Sequence, residues 1–316
     1  MRLLTSALSP SFGARSPLLR SVATAAARAA AVHPPVTADA TVPLRYELHT
    51  PPPTADGTGV SAPSPLVVLH GLFGSKQNWR SLARGFAQRL GAPVYALDLR
   101  NHGESPHEEH MDGAIMAADV ARFLREHALE RATLLGHSMG ARVAMTLALD
   151  GQQAQERDRI QRLVLVDMSA REIPVSETFG GYVRGMKAVE AAGFSRQADA
   201  DAMLATYAPE LAVRQFLLTN LKRDTANGQY RFRVPLDTIE RALPEIGRFR
   251  PPINTRPFLQ PTLLVAGARS GYVKPGDHAV LRELFPAIQF ASLDTGHWVH
   301  AEKPAEFTRL VVDFSR

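Results

Sequence analysis

Short apolar runs alternate with longer amphipathic segments along most of the chain. Continuous aliphatic runs bounded by glycine, proline or polar residues are typical of strands that are buried on both faces of a parallel sheet. Most of these runs are followed by apolar residues at helical spacing, as expected for helices that pack on a sheet. The pattern predicts strands at residues 66–69, 94–97, 133–135, 163–166, 262–266 and 288–293, and helices at 78–90, 115–127, 141–149, 278–285 and 305–314.

Strands that alternate with helices over this length predict a doubly wound, mostly parallel α/β sheet, whose ligands bind beyond the carboxyl ends of the strands. Upstream, Val42, Leu44, Tyr46 and Leu48 alternate with polar residues, which predicts an edge strand with one buried face. Between about residues 170 and 257 the alternation stops, and helical segments carry scattered aromatic side chains. We interpret this stretch as a helical cap inserted into a domain that spans residues 34–316.

Residues 1–33 differ in composition from the rest of the chain. They are rich in Ala and Ser, carry Arg2, Arg15, Arg20 and Arg28, and include no acidic residue. This composition is typical of a mitochondrial transit peptide, and the continuous apolar stretch of a secretory signal is missing. We therefore expect mitochondrial import, with the mature protein in the matrix.

Most of the net charge belongs to this leader. The formal charge of the chain is +5, and the four leader arginines account for all but about one unit of it, so the body gives no indication of a nucleic-acid partner. No run approaches the roughly 18 apolar residues of a membrane span. The chain contains no cysteine, which excludes disulfides, thiol nucleophiles and cysteine-ligated zinc.

Gly136-His137-Ser138-Met139-Gly140 lies between a predicted strand and a predicted helix. This arrangement predicts a nucleophile elbow, a turn so tight that the residues two before and two after the serine must be small. The elbow presents its serine hydroxyl at the carboxyl edge of the sheet. We therefore predict that Ser138 is a nucleophile for acyl transfer.

Such a nucleophile needs a base and a carboxylate that orients the base. His297 follows the last predicted strand in a Gly296-His297-Trp298 loop, which makes it the candidate base. Asp167, which ends the strand after the elbow helix, is the candidate acid. Many enzymes with nucleophile, acid and base in this chain order carry the acid after the strand that here ends at residue 266, but residues 267–271 include no carboxylate. Asp98 is the second candidate, although a role in tying the following turn by hydrogen bonds to backbone amides is the favoured interpretation for it.

Two backbone N–H groups should form the oxyanion hole that stabilises the tetrahedral intermediate. One is that of Met139, directly after the nucleophile. The other belongs to Leu72 or Phe73 in the loop that begins at His70, and the sequence leaves the choice between them open.

No phosphate-binding glycine motif is present, so no bound cofactor is expected. His107-Glu108-Glu109-His110 falls one residue short of the H-E-x-x-H zinc motif. A solvated polar loop is the favoured interpretation of this segment, with a pair of loop metal ligands as the alternative, and no metal is predicted.

With these residues in place, the chain from about Leu44 onward resembles the α/β-hydrolase superfamily. Within it, the chain is similar to the group that contains fungal mitochondrial ethanol acetyltransferases, animal mitochondrial abhydrolase-domain-eleven proteins and small bacterial esterases. Residues 151–159 look like an insertion relative to that group. The motifs that carry the resemblance are His70-Gly-Leu-Phe-Gly-Ser75, Asp98-Leu-Arg-Asn-His-Gly-Glu-Ser105, Gly136-His-Ser-Met-Gly140, Leu163-Val-Leu-Val-Asp-Met-Ser169 and Gly296-His-Trp298.

The resemblance implies the α/β-hydrolase fold and supports Asp167, since this group uses the aspartate of the Val-Asp-Met-Ser segment. It also implies acyl-ester or thioester chemistry through a covalent acyl-serine, with water or a small alcohol as acceptor and acetyl-CoA as a candidate substrate. With ethanol as acceptor the product would be ethyl acetate. The alternative function, from a different class, is a protein that keeps the fold but binds and supports a mitochondrial enzyme complex.

Overall fold

A computed structural model of the chain describes residues 40–52, 64–174, 177–252 and 254–316. The predicted transit peptide, residues 1–33, lies outside these ranges. Among the described residues, no helix has the length and apolar character needed to cross a membrane.

The core of the fold is a twisted sheet whose described strands lie in the order β1-β3-β2-β4-β5-β8-β9. Every neighbouring pair is parallel except β1 with β3, which is antiparallel at the edge. The order reverses direction at β2, as in a doubly wound fold. The strands of this sheet are β1 Tyr46–His49, β2 Leu66–Leu69, β3 Val94–Leu97, β4 Ala132–His137, β5 Ile160–Val166, β8 Thr262–Gly267 and β9 Ile288–Leu293.

Helices cover both faces of this sheet, so its central strands are buried on both sides. In β2, Val67 and Leu69 belong to one apolar core, while Leu66 and Val68 belong to the other. This explains why the strand sequences are continuously apolar and do not alternate. The helices outside the cap are α1 Lys76–Leu90, α2 Gly113–Glu126, α3 Met139–Leu149, α4 Ala154–Asp158, α9 His278–Leu284, α10 Val299–Glu302 and α11 Pro304–Ser315.

The predicted mostly parallel α/β fold is therefore confirmed, with element bounds that differ from the prediction by a few residues. The largest difference lies at the edge strand. Val42 and Leu44 are buried but precede β1, whereas Tyr46 and Leu48, on the strand itself, are 39% and 44% exposed. The prediction of a continuous buried face was wrong here, because β1 is an edge strand whose Tyr46 and Leu48 side chains are covered in part only, Tyr46 by the rings of Phe123 and His127.

The predicted cap, residues 170–257, contains the expected helices and also a two-stranded hairpin that the sequence analysis missed. The hairpin pairs Leu221–Arg223 with Tyr230–Phe232 in antiparallel register. Asn227-Gly228 in its loop is a common hairpin-turn dipeptide, with Gly228 at φ 74°. The cap elements are α5 Glu177–Ala192, α6 Gln197–Leu204, α7 Leu211–Leu218, β6 Leu221–Arg223, β7 Tyr230–Phe232 and α8 Leu236–Gly247.

Candidate active site

Ser138 lies in a strained turn between β4 and α3. Its φ of 54° is in the left-handed region that side chains rarely adopt, a conformation that costs on the order of 1–3 kcal/mol and is concentrated at functional sites. The turn depends on its glycines. A Cβ on Gly136 would lie 2.3 Å from the carbonyl oxygen of Gly140, and one on Gly140 would lie 2.5 Å from that of Leu69. The elbow geometry expected from the sequence is present.

Three side chains predicted to act together form a continuous hydrogen-bonded relay. His297 Nε2 lies 2.9 Å from Ser138 Oγ, and His297 Nδ1 lies 2.7 Å from Asp167 Oδ2. Asp167 is fully buried, while Ser138 is partly accessible. This arrangement can pass the serine proton to the imidazole and stabilise the imidazolium that results.

The Asp167 carboxylate is also held by two groups at the end of β8 and in the loop after it. The Gly267 N–H donates to Oδ1 at 2.9 Å, and the Ser270 hydroxyl donates at 2.5 Å to Oδ2, the oxygen that His297 contacts. Ser270 lies in the stretch of the sequence that carries no carboxylate. It was not among the predicted site residues, although a polar residue at that position was the available signal.

Asp98 lies apart from the relay and has its own partners. Its carboxylate accepts hydrogen bonds from the Lys76 and Glu104 backbone N–H groups, at 2.7 and 2.9 Å, and from Lys76 Nζ at 2.5 Å. Burial alone would raise the pKa of Asp98, but the nearby His70 and these Lys76 bonds lower it overall. Asp98 therefore holds the turn that follows β3, as the favoured interpretation expected.

The N–H groups proposed for the oxyanion hole differ in their availability. The Phe73 N–H donates to His102 Nε2 at 3.1 Å. Within the described part of the chain, no acceptor is found for the N–H of Leu72 or for that of Met139. Of the two N–H groups between which the sequence left the choice open, that of Leu72 is the one without an acceptor among the described residues, as is that of Met139.

Two buried histidines fix the loop that carries Leu72. His102 Nδ1 donates to the Arg100 carbonyl, and His70 Nδ1 donates to that of Gly71, so that each Nε2 is an acceptor. Burial, together with the neighbouring His70, lowers the pKa of His102 to about 3, and burial also lowers that of His70. Both rings are therefore neutral at physiological pH, which is the state that accepts a backbone N–H.

The cap also contributes to this loop. Asn220, at the end of α7, is buried and its side-chain amide donates to the Phe73 carbonyl at 2.7 Å. Since Phe73 has a φ of 62°, this bond supports a second strained residue beside the elbow. The cap thus helps to hold the oxyanion loop in addition to covering it.

The loop of the candidate base is held from two sides. His137 Nε2 donates to the His297 carbonyl at 3.0 Å, and the Tyr272 ring stacks on the His297 ring with centroids 4.0 Å apart. Burial lowers the pKa of His137 well below its usual value, so this ring stays neutral and keeps its donor role. These contacts restrict the imidazole to the orientation that reaches Ser138.

Two pockets meet at Ser138. We call the first the aromatic pocket, because His297, Trp298, Phe179, Tyr182 and Phe216 are among the residues that line it. Phe179 and Tyr182 lie at helical spacing on α5, and both line this pocket. Met186, which continues that spacing, is buried in the cap and does not line it.

We call the second the arginine pocket. It shares Ser138, Leu72 and Phe179 with the first and is otherwise lined by Met139, Arg142, Met168, Ile173, Pro174, Ile246, Gly247 and Tyr272. A substrate with two arms, one on each side of its reacting carbon, fits this division.

The histidine-rich loop at residues 107–110 lies away from both pockets. Its side chains are exposed, and the loop is held through backbone carbonyls: Arg100 binds that of His110, and Asn101 binds that of Glu108. In the described part of the chain, no group of three or more His, Asp or Glu side chains is arranged to hold a metal ion.

Comparison with known proteins agrees with this geometry. The chain is 39% identical over 254 residues to mouse "sn-1-specific diacylglycerol lipase ABHD11", covering 79% of this chain and 80% of that protein. It is 34% identical over 267 residues to "Probable alcohol acetyltransferase" of Saccharomyces cerevisiae, covering 79% of this chain and 76% of that protein. Relatives of these kinds support an enzyme of the serine-hydrolase kind.

Among solved structures, a "Marine microorganism esterase" matches with a TM-score of 0.76 and 28% identity, over 87% of this chain and all of that one. The family model for the α/β hydrolase fold matches residues 64–304, which include the elbow, the strand of Asp167 and the loop of His297. On its fold, its site and these comparisons, the chain belongs to the α/β-hydrolase family.

Proposed function

We propose that the protein hydrolyses or transfers acyl groups of esters or thioesters through a covalent acyl-enzyme on Ser138. The observation that carries this proposal is the continuous Ser138–His297–Asp167 relay beside two backbone N–H groups without acceptors. In this scheme Ser138 is the nucleophile, His297 the general base and Asp167 the group that orients the imidazole.

In the first half-reaction, Ser138 Oγ bonds to the acyl carbon while its proton passes to His297 Nε2. The carbonyl oxygen becomes an oxyanion that the N–H groups of Leu72 and Met139 stabilise, an interaction typically worth about 3–4 kcal/mol per donor. When the tetrahedral intermediate collapses, the bond from the acyl carbon to the leaving oxygen or sulfur breaks. His297 donates its proton to that leaving group.

In the second half-reaction, an acceptor takes the acyl group from Ser138. His297 removes a proton from water or from an alcohol, whose oxygen bonds to the acyl carbon, and the proton then returns to Ser138 as the acyl-serine bond breaks. Water gives an acid, and an alcohol gives a new ester. The two relatives represent both outcomes by name, one a lipase and the other an alcohol acetyltransferase.

Product analysis tests this proposal and identifies the acceptor. Residues 34–316 would be incubated with acetyl-CoA, with and without ethanol, beside the Ser138→Ala variant. Serine-dependent ethyl acetate would indicate an alcohol acetyltransferase, and serine-dependent acetate alone a thioesterase. Substitution of the nucleophile is expected to reduce turnover by roughly 10⁴-fold or more.

A second arm addresses substrates larger than acetyl-CoA. The same proteins would be given a diacylglycerol and treated with a fluorophosphonate probe that labels activated serines. If the folded wild type neither turns over any of these substrates nor reacts with the probe, the acyl-serine mechanism is wrong. The alternative of a protein that only supports a mitochondrial complex would then be favoured.

For localisation we propose mitochondrial import, which the arginine-containing, acid-free composition of residues 1–33 supports. The full chain fused to a fluorescent protein at its C-terminus should enter mitochondria, and the same fusion without residues 1–33 should not. Changing Arg2, Arg15, Arg20 and Arg28 to Gln provides a matched control of equal length. Equal import of all three fusions would contradict this proposal.

A further inference from the structure

Arg142 is a buried cation to which the described residues offer no ion-pair partner. Its side chain is 6% exposed, yet in the described part of the chain no carboxylate lies within ion-pair distance of it. Burial is costly for an uncompensated charge, and it lowers the pKa of Arg142 to about 10. The guanidinium therefore remains protonated at neutral pH.

The hydrogen bonds of Arg142 leave part of its donor capacity unused. Nε lies 3.2 Å from Met168 Sδ, Nη1 donates to the Ile246 carbonyl at 2.5 Å, and Nη2 lies 3.4 Å from the Arg171 carbonyl. A guanidinium has five N–H donors. Two of them thus have no acceptor among the described residues. The charges of the nearby Arg171 and Glu172 act on Arg142 in opposite directions, and each of these two residues has an ion-pair partner of its own.

This guanidinium lies in the arginine pocket, close to the nucleophile. Arg142 is one helical turn beyond Ser138 on α3, and its backbone N–H donates to the Ser138 carbonyl. One turn spans about 5.4 Å, and helical side chains tilt back toward the N-terminus of the helix. The Arg142 guanidinium therefore lies near the position of an acyl carbon bonded to Ser138 Oγ, and a short aliphatic chain can span the distance between the two.

The two pockets are not equivalent for the reaction. His297 must donate its proton to the leaving group, and His297 lines the aromatic pocket but not the arginine pocket. The leaving group therefore occupies the aromatic pocket, and the acyl group extends into the arginine pocket.

Building on the acyl-serine mechanism proposed above, we propose that the arginine pocket selects acyl groups that end in a carboxylate, such as the acyl half of a short dicarboxylic half-ester or half-thioester. The two unused N–H donors of Arg142 would bind the carboxylate oxygens, and the apolar side chains of Ile173 and Ile246 would contact the methylene chain. An arginine is suited to this role, because its planar fork matches a carboxylate.

Two ethyl esters of equal chain length test the proposal: monoethyl glutarate, which carries the carboxylate, and ethyl pentanoate, which ends in a methyl group. In each case water is consumed, the ester bond breaks, and ethanol is released and measured. Wild-type kcat/KM should be at least roughly tenfold higher for the glutarate ester, as a charge-assisted hydrogen bond pair implies.

Substitution of Arg142 should remove this preference selectively. Arg142→Gln, which keeps N–H donors for the cap carbonyls but no charge, should lower kcat/KM for the glutarate ester by roughly 10- to 100-fold and leave that for the pentanoate ester within about threefold. Arg142→Lys should have an intermediate effect. Arg80→Gln removes the same charge from an exposed site on α1 and should leave the ratio unchanged.

The outcomes separate this inference from the proposed function. If wild type hydrolyses both esters equally in a Ser138-dependent manner, or if Arg142→Gln lowers both rates by the same factor, Arg142 only tethers the cap to the core and the inference is wrong. If neither ester is hydrolysed and no fluorophosphonate labelling occurs, the acyl-serine mechanism fails and the inference fails with it.

Discussion

Asp98 and Asp167 are both fully buried, and both follow strands that end at the same edge of the sheet. Their surroundings differ. Asp98 is neutralised by the Lys76 ammonium, while Asp167 faces the His297 imidazole and is held, among the described residues, by one backbone N–H and one hydroxyl besides. The charge of Asp98 therefore stabilises a loop. The charge of Asp167 remains available to the His297 ring, which gains a proton during the proposed reaction.

This difference explains why residue type and strand position alone do not identify a catalytic acid. A carboxylate that is already paired with a permanent cation stabilises a transient cation, such as a protonated imidazole, only weakly. The neutral partners of Asp167 fix its orientation but leave its charge to act on His297. The comparison therefore predicts that substitutions at the two sites affect different properties of the protein.

The largest effect is expected for Asp167→Asn, which removes the charge but keeps the shape. Without the carboxylate, His297 loses the partner that sets its tautomer and stabilises its protonated form. We expect kcat to fall by about 10⁴-fold, as in other serine hydrolases with this change, with a much smaller change in stability. Rates and denaturant unfolding of the same preparation would check this, and near-normal kcat would contradict the assignment of Asp167.

For Asp98→Asn the effect should fall on stability instead. This change leaves the buried Lys76 ammonium with the half-exposed Glu104 carboxylate as its remaining ion-pair partner among the described residues. We therefore expect a loss of unfolding free energy below the roughly 3–5 kcal/mol that a buried charge costs when it has no counter-charge. Addition of Lys76→Met should restore part of that loss. Activity per folded molecule should fall far less than in Asp167→Asn, and a loss of 10³-fold or more would mean that Asp98 serves the reaction directly.

Acid titration should reveal the neutral histidines that hold the oxyanion loop and pack near the base. One of them is His102, and another is His300, a buried ring that stacks on Trp79 and contacts His137. The pKa of His102 and that of His300 are each about 3 in the folded protein, against an ordinary value of 6.5, and burial is the main cause. Because the unfolded chain binds these protons first, stability is lost as the pH falls from about 6.5 toward 3, by about 1.4 kcal/mol per pH unit for each histidine. His102→Gln should reduce the slope of the unfolding free energy against pH by the contribution of one histidine, about 1.4 kcal/mol per pH unit. An unchanged slope would contradict a neutral His102.

The smallest effect is expected for Ser270→Ala, which removes one hydroxyl donor from the Asp167 carboxylate. A lost bond to a charged group is worth about 1.5–3 kcal/mol at most, and the Gly267 N–H remains, so we expect kcat to fall by roughly tenfold with KM nearly unchanged. Ser270→Thr, which retains the hydroxyl, should recover most of the rate. A loss confined to KM would show that Ser270 contacts the substrate and does not position Asp167.

Much of the fold was predictable from local pattern. Continuous apolar runs identified the parallel strands, because a strand buried on both faces has no position for a polar side chain. The β6–β7 hairpin was missed, since its strands are short and lie among helices, although Asn227-Gly228 marked its turn. The exposure of Tyr46 and Leu48 was also missed, because the extent to which other segments cover an edge strand is not encoded in the alternation of the strand itself.

The candidate site divides in the same way. Ser138 and Met139 were predictable because the elbow is a local structure with strict glycine requirements. Ser270, Asn220 and Arg142 were not, since each acts on a group far away in the chain and has no motif of its own.

By itself, the sequence determined the order of strands and helices, the elbow that exposes Ser138 and the candidate residues that end the strands. These depend on hydrophobic periodicity and on steric limits at glycine, which act between near neighbours. Only the tertiary structure decided which buried aspartate faces His297, which N–H of the Leu72–Phe73 pair has no acceptor among the described residues, and that these residues offer Arg142 no counter-ion beside the nucleophile. The first of these joins residues 130 positions apart in the chain, and only packing of the folded chain brings such residues together.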